Sequence, residues 1–125
     1  MARILLVDDD TNIHEIVSLF LKHVGHSVTC VSSGLSGLDY ATHNQVDLII
    51  LDLAMPVMDG IETFDKLRND PKSSDVPVMI LSVHEKSELD TSIFTSSHVS
   101  YVNKPVDMDR LIAAVEKALA NSVAA

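Results

Sequence analysis

Five side chains able to do chemistry stand at the ends of apolar runs. Asp8 and Asp9 follow Ile4-Leu5-Leu6-Val7, Asp52 follows Val46-Asp47-Leu48-Ile49-Ile50-Leu51, Ser82 follows Val76-Pro77-Val78-Met79-Ile80-Leu81, and Lys104 comes just after Val99-Ser100-Tyr101-Val102. Each alone has an ordinary reading. Asp52 can open the turn that Pro56 and Asp59-Gly60 signal, Asp10 can belong to a helix start, Ser82 can be a loop hydroxyl and Lys104 a solvated amine. Gathered in one place they would make a reactive site. Three crowded carboxylates repel one another, which raises the proton affinity of at least one unless a cation is present. A hard divalent cation relieves the repulsion, and Mg²⁺, which takes a few carboxylate oxygens, a carbonyl and several waters, is the expected ion. Asp52 acting as a nucleophile would form an acyl phosphate, whose phosphoryl oxygens need counter-charge and donors. Mg²⁺, Lys104 and the Ser82 hydroxyl would supply them. Such catalysis is mostly positioning and electrostatics, which suits residues held on rigid strand ends.

The elements that must do the positioning can be read in chain order. Ile4 to Val7 is a buried strand, stopped by Asp8-Asp9-Asp10. Thr11 or Asn12 can cap a helix with Ile13, Ile16, Val17, Phe20 and Val24 at helical spacing, and Gly25 stops it. Val28 to Val31 is a second strand, and Ser32-Ser33-Gly34 leads into a helix carrying Leu35, Leu38 and Ala41. The run ending at Leu51 is short, rich in Ile and Leu, and reads as a strand buried on both faces. A helix from Asp59-Gly60 through Ile61, Phe64 and Leu67 ends before Asn69-Asp70-Pro71. Val76 to Leu81 is the fourth strand. Glu85 to Ser97, with Leu89, Ile93 and Phe94 as anchors among many Ser and Thr of modest propensity, is the fourth helix and is expected to be mobile. Val99 to Val102 alternates like an edge strand, Asn103-Lys104-Pro105 turns the chain, and a last helix from about Asp107 to Ala120 carries Leu111, Val115, Ala118 and Leu119.

Five strands alternating with five helices predict an α/β domain with a parallel sheet, a doubly wound, flavodoxin-like (βα)5 arrangement. The first, third and fourth strands are the most continuously apolar and belong at the centre, which gives the order 2-1-3-4-5 with its switch point between strands one and three. In a parallel sheet all strands end on one edge, so Asp8, Asp9, Asp52, Ser82 and Lys104 are expected to converge there.

The totals set the frame. The chain of 125 residues is 46% hydrophobic and 22% charged, which fits one domain over residues 1–125, its tail Asn121 to Ala125 frayed. No apolar run approaches the roughly 18 residues of a membrane helix, and no secretory signal opens the chain, so a cytoplasmic protein is expected. A formal net charge of −9 disfavours anionic membranes and direct nucleic-acid binding by this domain. The single cysteine, Cys30, cannot form an internal disulfide and reads as a small core residue.

These residues and their spacing resemble the receiver domain of bacterial two-component response regulators over essentially the whole length. That family carries an acidic pair after the first strand, matched by Asp8-Asp9, and a phosphoacceptor in a D-x-x-M-P-x-M-D-G context, matched from Asp52 to Gly60. Its Ser or Thr after the fourth strand is matched by Ser82, and its K-P pair after the fifth by Lys104-Pro105. The resemblance implies Asp52 as phosphoacceptor, Mg²⁺ bound directly by Asp9, Asp52 and the Ala54 carbonyl and through water by Asp8, and a cis Lys104-Pro105 bond. It implies Tyr101 as the switch aromatic that turns inward when the Ser82 hydroxyl moves to the phosphoryl group. It also implies a sensor histidine kinase or phosphotransfer protein as donor. Output would pass through the face formed by the fourth helix, fifth strand and last helix to a partner that the sequence does not name.

Some positions depart from the usual pattern. Val83 follows Ser82 where Ala or Gly is common, which narrows access to the phosphoryl group or the inward seat for Tyr101. Ser96-Ser97-His98 replaces a common Gly-Ala ahead of the fifth strand, so the fourth helix and its output face are expected to differ. Ala54 and His84 lie where the family tunes hydrolysis of its acyl phosphate. None of the six histidines is assigned to the site, because His23 and His26 span a helix end and no helical bundle is present to carry a donor histidine. Two other functions share the layout. A Mg²⁺-dependent phosphatase with an aspartyl nucleophile would need an acid two residues after Asp52, where Ala54 stands. A flavodoxin-like binding scaffold would need a phosphate loop where Asp8-Asp9-Asp10 stands and would repel it.

Overall fold

The computed structural model describes residues 2–53, 60–83 and 98–123. In chain order they form β1 (Arg3–Val7), α1 (Thr11–His23), β2 (Ser27–Val31), α2 (Gly34–His43), β3 (Leu48–Asp52), α3 (Gly60–Asn69), β4 (Val78–Ser82), β5 (Val99–Asn103) and α4 (Met108–Val123). The strands make one sheet in the order β2-β1-β3-β4-β5, and every neighbouring pair is parallel. The helix expected over Glu85 to Ser97 lies outside the described residues.

The three central strands are apolar on both faces because helices cover both. Ile4, Leu6, Leu48, Ile50, Met79 and Leu81 pack with residues of α1 and α4 such as Val17, Leu21, Leu111 and Val115. Their neighbours Leu5, Val7, Ile49, Leu51, Val78 and Ile80 pack on the other side with Ala41 of α2 and Phe64 and Leu67 of α3. Each such side chain, fully buried, contributes about 2 kcal/mol, so a carboxylate at the end of β3 stands out against its own strand. The edge strands β2 and β5 are mostly half-buried.

Helix faces correct the sequence reading in several places. In α1 the buried residues are Val17 and Leu21, while Ile16 is 39% and Val24 40% exposed. At about 100° per residue Ile16 falls to the side of the core stripe, and Val24 is the C-cap, where the chain leaves the helix. Gly25 then takes the left-handed φ of 93° that ends it. In α2 Leu35 is 59% exposed, and Gly34, Gly37 and Ala41 form the buried face. A Cβ on Gly37 would lie 2.8 Å from Val7 Cγ2, so the small residue lets α2 approach the end of β1. The N-cap of α1 is Asp10, not Thr11 or Asn12: its carboxylate accepts the Asn12 N–H at 2.9 Å, an arrangement that also places negative charge at the positive helix end.

Other boundaries shift by a few residues. Strand β4 begins at Val78 and not Val76, since Pro77 has no N–H to add to the ladder. Ahead of it the Arg68 guanidinium donates to the Val76 carbonyl at 2.7 Å and lies 5.0 Å over the Phe64 ring. Burial pushes this guanidinium below its ordinary range, opposed by the charge of Asp75. Helix α4 continues to Val123, so Asn121, Ser122 and Val123, expected in a frayed tail, are helical backbone. No Gly or Pro interrupts them. Cys30 is half-buried at the rim of the core, its sulfur 3.2 Å from Ser18 Oγ.

His26 is a buried staple. Its Nδ1 accepts the Ala2 N–H at 3.0 Å, so the proton sits on Nε2, which donates to Glu116 Oε1 at 2.7 Å. One ring thus ties the chain ahead of β1 to α4. Replacing His26 by Leu strands the buried Ala2 N–H and should lower stability by about 1–3 kcal/mol; a urea midpoint equal to wild type would show the ring to be dispensable.

Candidate functional site

The described polar residues converge at the carboxyl edge, where β1 and β3 run side by side and strand order reverses. Asp8 follows β1 directly, and its N–H still reaches the Val31 carbonyl of β2 at 3.1 Å. Its side chain is fully buried, and Oδ1 accepts the Asp10 N–H at 2.9 Å. Oδ2 lies 3.1 Å from Lys104 Nζ, an ion pair, with no hydrogen-bond donor among the described residues aligned on it. Asp52 is the last residue of β3 and not the first of a loop, and it is 4% exposed. Lys104 Nζ is 3.6 Å from Asp52 Oδ1, so one ammonium serves two buried carboxylates. Asp9 is exposed, yet oxygens of Asp8, Asp9 and Asp52 all lie within 4.8 Å of one another.

The remaining site residues come from β4 and β5. Ser82 ends β4 and is 4% exposed, and its carbonyl accepts the Lys104 N–H at 2.7 Å. That bond fixes where the Lys104 side chain departs. The Lys104–Pro105 peptide bond is cis. Tyr101 packs half-buried against the α2 and α3 side, and its hydroxyl accepts the Asn103 side-chain N–H at 2.7 Å. Val83 is 67% exposed beside Ser82. Ala54, Asp59, His84, Ser96 and Ser97, all named in the sequence reading, lie outside the described residues.

Strand alternation explains the layout. Asp52 continues the parity of Leu48 and Ile50 toward the α1 and α4 layer, whereas Ser82 continues that of Val78 and Ile80 toward the α2 and α3 layer, where Tyr101 also packs. Carboxylates and hydroxyl therefore reach the site from opposite faces of one sheet.

One contact was missed by the sequence reading. The His14 Nε2–H donates to the Asp8 carbonyl at 2.5 Å; a carbonyl can only accept, which fixes the tautomer. Helical side chains lean toward the helix N-terminus, so a histidine one turn into α1 is within reach of the turn before it.

The donor set suits a hard cation: three carboxylates and no sulfur or imidazole among the grouped ligands. It is also a poor cradle for a preformed anion.

Comparison with known proteins agrees with this geometry. Residues 4–116 match the response regulator receiver domain family. The DNA-binding dual master transcriptional regulator RpaA of Synechocystis is 35% identical over 119 residues, which is 95% of this chain and 49% of that protein. The transcriptional regulatory protein GlrR of Escherichia coli K12 is 36% identical over 124 residues, 99% of this chain and 28% of that protein. The chain thus spans about half or less of these curated relatives. Among solved structures, chemotaxis protein CheY4 of Vibrio cholerae superposes with a TM-score of 0.88 at 28% identity, covering 95% of this chain and 99% of that one. The receiver domain of sensor histidine kinase PA1611 from Pseudomonas aeruginosa, solved with a magnesium ion in its active-site cleft, shares the fold at 23% identity and a TM-score of 0.86, covering 95% of this chain and 98% of that one. With the family matched across both buried aspartates, Ser82 and Lys104, this chain belongs to the response regulator receiver domain family.

Proposed function

We propose that residues 1–125 form a single receiver domain that acts as a phosphorylation-controlled switch, with Asp52 as phosphoacceptor. The observation that carries this reading is the Lys104 ammonium shared between buried Asp8 and Asp52 at 3.1 and 3.6 Å, with Asp9 completing a carboxylate cluster. A carboxylate oxygen of Asp52 attacks the phosphorus of a phosphohistidine on a sensor kinase or phosphotransfer protein. The P–O bond forms as the P–N bond breaks, and the imidazole leaves with the electron pair. Lys104 is near enough to follow the charge from carboxylate to phosphoryl oxygen, and the Ser82 hydroxyl is the donor for a second oxygen. Asp9, Asp52 and the Ala54 carbonyl would hold Mg²⁺, with Asp8 assisting through water. The bound ion supplies positive charge against that of the phosphoryl group.

Ser82 and Tyr101 are the switch pair. When the Ser82 hydroxyl is drawn to the phosphoryl group, the ring in the same layer can move inward, which alters the face made by the segment ahead of β5, β5 itself and α4. The domain is thus no conventional enzyme and catalyses only its own phosphorylation and dephosphorylation. Relatives named as transcriptional regulators support an output partner or effector domain, and the net charge of −9 argues against direct DNA contact by this module, which acts in the cytoplasm.

Intact mass after incubation with acetyl phosphate tests this. Wild type should gain one phosphoryl group only with Mg²⁺, and Asp52→Asn none. An adduct of equal yield on Asp52→Asn would overturn the assignment, as would wild type that neither gains mass nor binds beryllofluoride.

A further inference from the structure

His14 stands outside the five residues that make the site, yet its ring is bonded to the backbone between two of them. Asp8 is held at every polar atom: N–H on Val31, Oδ1 on the Asp10 N–H, Oδ2 on Lys104, and carbonyl on His14 Nε2–H. The Asp8 carbonyl shares a rigid plane with the nitrogen and Cα of Asp9. Whatever fixes that oxygen fixes the Asp9 Cα and the N–Cα axis about which its side chain turns. On the other side of Asp9, the Asp10 carbonyl accepts the N–H groups of Ile13 and His14 at 3.1 and 3.2 Å. Asp9 itself is exposed, and its place within the carboxylate cluster rests on these two neighbours. His14 contributes to both, by ring and by backbone.

We infer that His14 is a positioning residue for metal binding: its Nε2–H orients the Asp8–Asp9 peptide plane so that the Asp9 carboxylate meets those of Asp8 and Asp52. The inference rests on the reading of this cluster as a Mg²⁺ site. It explains why a half-buried imidazole is spent on a carbonyl that lies past the end of the sheet. A purely structural ring would act through its bulk, whereas this role needs a donor at the Nε2 position. Gln places an amide N–H at about the same reach, and Leu keeps bulk without a donor.

The test is Mg²⁺ affinity measured by calorimetry on the unphosphorylated protein, alongside urea unfolding without Mg²⁺. His14→Leu should bind Mg²⁺ about tenfold more weakly than wild type, in the range seen when a group that orients a metal ligand is removed. His14→Gln should stay within about threefold, by the same reasoning that a retained donor keeps the ligand oriented. Wild-type affinity in His14→Leu would overturn the inference, and so would equal losses in Leu and Gln variants of equal stability. The site reading is checked separately: wild type that bound no Mg²⁺, or Asp9→Asn that bound it as wild type does, would remove the premise itself.

Discussion

Lys104→Met will lose about 2–3 kcal/mol of stability at neutral pH in the absence of divalent cations, below the figure for breaking a wholly buried pair because the lysine side chain is 15% exposed. Its ammonium is the partner of Asp8 at 3.1 Å and of Asp52 at 3.6 Å, both buried. Methionine fills the volume but leaves two desolvated carboxylates facing each other and Asp9. Mg²⁺ held by the proposed cluster would favour the folded form, so it should recover much of the loss by mass action, and the shift in urea midpoint on adding Mg²⁺ should exceed that of wild type. Phosphorylation by acetyl phosphate should slow at least about tenfold even at saturating Mg²⁺, because a charge that follows the transferred group is gone. A variant as stable as wild type, with the same response to Mg²⁺, would show that Lys104 is not the counter-charge of this cluster.

Gly60→Ala should damage stability and chemistry together. A Cβ at Gly60 would lie 2.4 Å from Leu53 Cα, 2.5 Å from the Asp52 carbonyl oxygen and 2.9 Å from Leu53 Cδ2. Two of those atoms are backbone and cannot rotate away. The Gly60 N–H also bonds to the Leu53 carbonyl at 2.9 Å, so α3 starts directly against the end of β3. Overpacking of this kind costs about 3 kcal/mol, and relief requires moving the backbone that carries Asp52. The expected result is a lowered urea midpoint with phosphorylation reduced more than the remaining folded fraction accounts for. Full activity per folded molecule would show that the β3 end can shift without misplacing its carboxylate.

Much of this was legible from residue order, for physical reasons. Parallel strands deliver their last residues to one edge, so apolar runs ending in Asp8, Asp52 and Ser82 had to bring those side chains together. Strand order followed from which runs lacked polar residues on either face. Helix faces were read less well. Periodicity counts large apolar residues, whereas α2 turns Gly34, Gly37 and Ala41 inward, with Val7 of β1 too close at Gly37 for any side chain, and Leu35 is left outside. His14 escaped because its partner is a backbone carbonyl, which has no signature in a side-chain pattern. Lys104 was placed at the edge, but its sharing between two acids depends on distances that spacing alone does not give.

The alternation that brings Asp52 and Ser82 in from opposite layers also constrains how the chain can change in length. One residue inserted into β4 ahead of Ser82 would hand the hydroxyl to the wrong layer and turn apolar neighbours out of theirs. Two inserted residues would restore the facing but carry the hydroxyl about 6.6 Å beyond the carboxylates. Strand length at this edge is therefore counted, residue by residue, whereas connections that enter the strands at the opposite edge can lengthen or shorten without the chemistry noticing.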